Sequence, residues 1–88
     1  MIKITWTQHA QIRQKEWEKK IDITKEEVEE ILRNPGQVVP GDLNVQVAQA
    51  KIRNGLMRVL FSEENGDSKI ITVYWTSKVE KYWKEQKK

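Results

Sequence analysis

Cysteine is absent from the 88 residues, so neither disulfides nor thiolate metal sites can hold this chain together, and apolar packing must do so unaided. Histidine occurs once, at His9. With one imidazole, no thiol and no carboxylate pair converging on a pocket, no metal is expected, and no other cofactor is implied. No long apolar run occurs, and the opening Met1-Ile2-Lys3-Ile4-Thr5-Trp6 alternates apolar and polar residues. Neither a membrane span nor a signal peptide is therefore expected, and the expected compartment is the cytoplasm. Proline occurs twice and glycine four times. Such scarce breakers mark element boundaries: Asn34-Pro35-Gly36, Pro40-Gly41, Asn54-Gly55 and Asn65-Gly66.

What is present suits one small domain, residues 1–88, with a lysine-rich tail at 84–88 expected to fray. The net charge of +3 is unevenly spread. Lys15, Lys19 and Lys20 precede an acidic stretch, Glu26, Glu27, Glu29 and Glu30, and Lys78, Lys81, Lys84, Lys87 and Lys88 follow late in the chain. Such asymmetry can steer a polyanion such as RNA, and it also serves solubility.

Hydrophobic periodicity predicts the elements. Ile2, Ile4 and Trp6 share one face of a first strand, and Thr7 caps a helix from Gln8 to Lys20 whose stripe reads Ala10, Trp17 and Ile21, with Arg13 or Gln14 at the intervening turn. Thr24 with Glu27 forms a capping box, Ile23 with Val28 a staple, and the resulting helix buries Val28, Ile31 and Leu32 before Asn34-Pro35-Gly36 ends it. After a loop around Val39-Pro40-Gly41-Asp42, three strands follow, Asn44 to Ala50, Leu56 to Phe61 and Lys69 to Trp75, joined by Asn-Gly turns. A short helix carrying Val79, Tyr82 and Trp83 closes the order. The expected fold class is α+β: strand-helix-helix, a three-stranded antiparallel meander and a short C-terminal helix, with the helices on one sheet face.

Candidate chemistry collects in two places. His9 and Arg13, one helical turn apart, put a titratable imidazole beside a permanent cation. On the last strand Ile71, Val73 and Trp75 are expected to point one way and Thr72, Tyr74 and Thr76 the other, which places hydroxyl, phenol and hydroxyl in a row. Met57, Val59 and Phe61 read as core, which turns Arg58 toward that row, with Lys51 and Arg53 on the strand or turn before it.

These residues resemble a known group. His9-Ala10-x-x-Arg13, Glu26-x-Val28-x-x-x-Leu32-x-Asn34-Pro35 and Thr72-Val73-Tyr74 look like the domain of unknown function 4258 (DUF4258) family of small prokaryotic proteins, over nearly the whole chain. That family is regarded as similar in topology to the RelE/ParE-like toxins. The resemblance implies a toxin-like protein, and if it extends to mechanism the active-site counterparts are His9, Arg13, Arg58, Thr72 and Tyr74. The chain departs from the family after Arg13, where Glu18-Lys19-Lys20-Ile21-Asp22 carries lysines in place of an arginine.

Two functional readings follow. In the first the protein interacts with RNA or cleaves it without metal: His9, Arg58 and Tyr74 are catalytic, Arg13, Lys51, Arg53 and Thr72 bind substrate, and Trp6 or Trp75 stacks a base. In the second it binds a protein partner, such as an antitoxin, or a second copy, through the polar sheet face and the edge strand Val45 to Ala50, which is uncharged until Lys51.

Overall fold

The computed structural model describes residues 3–84. Strand β1 (Ile4–Trp6) leads into helices α1 (Gln8–Ile21) and α2 (Lys25–Arg33), then strands β2 (Gln37–Pro40), β3 (Gln46–Ile52), β4 (Gly55–Glu64) and β5 (Asp67–Thr76), and the short helix α3 (Val79–Tyr82). The sheet order is β1-β5-β4-β3-β2, antiparallel from β2 to β5, with β1 parallel to β5. This is an α+β fold. The expected contribution of Ile2 to the first strand and most of the expected frayed tail lie outside the described residues.

Local chemistry sets the helix starts. Thr7 is extended, and its Oγ1 accepts from Ala10 N at 3.0 Å while donating to the Ile71 carbonyl at 3.0 Å. One hydroxyl thus caps α1 and pins it to β5. Thr24 and Glu27 form the reciprocal capping box of α2: Glu27 N donates to Thr24 Oγ1, and Thr24 N to Glu27 Oε1, each at 3.1 Å. At the turn of α1 left open between two residues, Gln14 is the one buried, at 4% exposure, and its amide donates to the Ile23 carbonyl (2.8 Å) and to Glu18 (2.9 Å).

Helices α1 and α2 cover one sheet face, as expected. Ala10, Ile23, Val28 and Ile31 pack there against Ala48, Met57, Val59, Phe61, Ile70 and Val73, with Ile4, Trp6, Trp17 and Trp75 at the margins. The short α3 differs: Tyr82 touches Arg58 and Tyr74 on the opposite face.

Three further features depart from expectation. The loop around Val39 contains a further strand, β2, which pairs with β3 through Gln37↔Gln49 and Val39↔Val47. Of the expected edge strand Val45 to Ala50, Gln46 to Gln49 therefore lie between β2 and β4 and not at the sheet edge; a proline and a short apolar run conceal the added strand. Second, a bulge between Leu60 and Phe61 pairs Leu60 with Thr72 but Phe61 with Ile70, leaving Ile71 as the extra residue. Ile70, fully buried, takes the core position assigned to Ile71.

Third, the β3–β4 turn sits one residue earlier than the Asn-Gly pair suggests. Ile52 pairs with Gly55, and Arg53 (φ 52°) and Asn54 (φ 61°) form the two-residue loop. Positive φ at both positions matches a type I′ turn. Gly55 is already in the strand because the Trp75 indole lies against it: a Cβ there would stand 2.3 Å from Trp75 Cζ2 and 2.6 Å from the Thr76 carbonyl oxygen. Trp75 is fixed by its own Nε1 donating to the Ile52 carbonyl at 3.0 Å. Gly55→Ala is expected to lower stability by about 1–3 kcal/mol through overpacking, measured by thermal or urea denaturation, whereas Gly66→Ala meets no atom within 4 Å and incurs only the strain of its φ.

Candidate functional site

The sheet divides the sequence-derived candidates into separate groups. His9 is exposed in the first turn of α1, beside core residue Ala10, on the helix-covered side. Arg13 is on the same helix and pairs with Glu16 at 3.2 Å. Arg58, Thr72, Tyr74 and Lys51 alternate with Val59, Val73 and Ala50 and so belong to the opposite face. The proposed catalytic trio is therefore not brought together: Arg58 and Tyr74 meet, and His9 stands on the other side of the sheet.

On the open face, Arg58 and Tyr74 are directly opposed across β4 and β5. The guanidinium donates through Nη1 to the Tyr74 hydroxyl and through Nε to Gln49 Oε1 at 3.0 Å. Gln49 is fully buried. Because arginine only donates, the Gln49 oxygen must face Arg58, and its amide nitrogen then donates to Gln37 Oε1 at 2.8 Å and to the Tyr82 carbonyl at 3.1 Å. The Tyr82 ring lies over the guanidinium, 4.3 Å from its carbon, and edge-on to Tyr74 at 6.3 Å between centroids. Lys51 Nζ sits 4.4 Å from the centre of the Trp83 ring. The result is a held guanidinium with a second cation on one sheet face, framed by phenols and an indole. Part of the guanidinium's donor fork remains uncommitted to these partners, as anion binding requires.

Gln37, Gln49 and Tyr82 were not singled out from sequence. The available signal was Gln49 itself, an amide between two alanines in a strand that otherwise reads as half-apolar. Its partner Gln37 was hidden with β2. Trp6 and Trp75, considered as base platforms, are instead built into the helix-covered side: Trp6 Nε1 donates to Glu29 Oε2 at 2.8 Å, and both rings pack against the core.

Arg53 also leaves the proposed substrate set. It grips Glu27 with both terminal nitrogens, at 2.8 and 2.9 Å, and donates to the Asp22 carbonyl at 3.0 Å. This bidentate pair joins the strained β3–β4 turn to the start of α2. Hydrogen bonding from Arg53 is the main influence on the Glu27 carboxyl and holds it below its usual value, with burial opposing and Thr24 assisting. A carboxyl lowered in the folded state contributes stability above its ordinary pKa, and that stability is lost as pH falls through the lowered value. Arg53→Gln is accordingly expected to lower Tm at neutral pH, with the gap to the parent closing in acid below the ordinary carboxylate range. A calorimetric pH series checks this.

Comparison with protein-family models, curated proteins and solved structures gives no match.

Proposed function

We propose that this is a toxin-like, RNA-interacting protein that binds a single-stranded backbone on the open sheet face, with Arg58 as the phosphate-binding group. The observation that carries this reading is the positioning of Arg58: Gln49 and Tyr74 fix its plane, so little side-chain freedom is lost when it engages a phosphate. Lys51 supplies a second cation on the same face, Thr72 a hydroxyl, and the net charge favours encounter with a polyanion. The motif resemblance to the DUF4258 family and its RelE/ParE-like topology points the same way, as analogy.

The reading is of binding rather than His9-dependent cleavage. Attack by a ribose 2′-hydroxyl needs a proton acceptor beside the phosphate, and the described residues in contact with Arg58 offer phenols and an amide rather than an imidazole or a carboxylate. Fluorescence polarisation with a labelled single-stranded RNA, over a salt series, tests the proposal. Arg58→Ala is expected to weaken binding several-fold and to make the plot of log affinity against log salt shallower by about one unit. His9→Ala should leave binding, and any cleavage of a mixed RNA pool, unchanged. Equal affinity and equal slope for Arg58→Ala and parent would overturn the assignment.

A second reading, self-association, is favoured by the β2 edge, where Val38 is 46% exposed and the following loop carries Leu43 at 100%. This edge strand bears no charged side chain to block pairing with another strand. If it mediates a homodimer, Val38→Lys should convert the dimer to monomer in light scattering at matched concentration.

A further inference from the structure

Arg58 and Lys51 have one feature in common: each is stacked on a ring from the same short segment. Arg58 lies against Tyr82 at 4.3 Å and Lys51 against Trp83 at 4.4 Å, consecutive residues at the end of α3. The same segment is held by its main chain. The Gln49 amide donates to the Tyr82 carbonyl, Lys84 N donates to Gln37 Oε1 at 2.9 Å, and Gln37 Nε2 donates back to the Lys84 carbonyl. Trp83 closes the seat against Gly36, where an added Cβ would stand 3.1 Å from the ring.

We propose that Val79–Lys84 is an internal strap that occupies the RNA site, its Tyr82 and Trp83 rings standing where two successive bases would stack beside Arg58 and Lys51. This rests on the RNA reading of that face. Guanidinium and ammonium groups stack on nucleobases as they do on aromatic side chains, and glutamine amides can pair with base edges as readily as with main chain. The strap's anchorage is polar and stacking rather than apolar burial. Helix α3 is a single turn, lacks a side-chain cap and buries no residue fully, and segments with few buried apolar contacts open at low free energy. RNA thus binds the fraction of molecules in which the strap is lifted, and its apparent affinity falls in proportion to that fraction.

The test uses the full-length protein, the double variant Tyr82→Ala/Trp83→Ala, and Gln37→Ala as a milder release that keeps both rings. Two measurements are made on each: the rate at which phenylglyoxal modifies Arg58, with Arg13 and Arg33 as exposed controls, and RNA affinity by polarisation. Circular dichroism confirms folding. The strap predicts that Arg58 modification and RNA affinity both rise, roughly tenfold if the closed state holds nine-tenths of the molecules, with the controls unchanged. In a protein that binds RNA, unchanged modification and affinity would overturn the strap alone. Weaker RNA binding by the double variant would make the rings part of the binding surface and would likewise overturn it. Faster modification with no RNA binding by any form would instead overturn the RNA reading, and the strap's role with it.

Discussion

The open face is organised by one buried amide. Gln49 has no access to water, and an unsatisfied amide in that position costs on the order of 1–3 kcal/mol. Its oxygen takes Arg58, and its nitrogen takes Gln37 and the Tyr82 carbonyl. Through those bonds a single side chain joins β2, β3, β4 and the last residue of α3. The pairing also explains why a glutamine occupies an interior strand: an apolar residue of similar volume would leave the guanidinium without its Nε acceptor and the strap without one of its main-chain partners. Networks of this kind are favourable only when every member is satisfied, and no buried side-chain nitrogen or oxygen among the described residues lacks a partner.

The sheet also separates two kinds of chemistry. Its helix-covered side is apolar and carries three indoles whose N–H groups all find acceptors: Trp6 on Glu29, Trp17 on the Val73 carbonyl at 3.3 Å, and Trp75 on the Ile52 carbonyl. The Val73 acceptor is available because β1 pairs only with Ser68 to Ile70 of β5, so beyond that point side chains from α1 replace a neighbouring strand. Lysines lie over the rings at several places, Lys20 over Trp17, Lys25 over Trp6 and Lys81 over Tyr82. Basic side chains that would read as a solvated surface thus also shelter aromatic faces.

Much of this architecture was legible from local rules. The Thr7 cap, the Thr24–Glu27 box, the Asn65-Gly66 turn and the switch from helical to alternating periodicity after Pro35 are short-range signals, and the structure follows them. The opposition of Arg58 and Tyr74 was also accessible, because alternation and a two-residue turn together set the register. The errors share a cause in long-range geometry. β2 is too short and too close to a proline to announce itself, the Ile71 bulge inverts a single step of alternation, and Gly55 answers to Trp75, twenty residues further on. His9 and Arg58 were grouped by chemical type, whereas their positions depend on which side of the sheet each element packs, and local pattern does not encode that.

The far end of the β4–β5 hairpin carries a different consequence. Asn65 (φ 54°) and Gly66 (φ 84°) form an exposed two-residue turn, and nothing lies within 4 Å of where a Gly66 side chain would begin. The turn holds its two strands in register, and a side chain at Gly66 would project into open space. It is therefore a natural point of attachment, where an inserted peptide tag or a tethered dye would leave the core, the helices and the Arg58 face undisturbed.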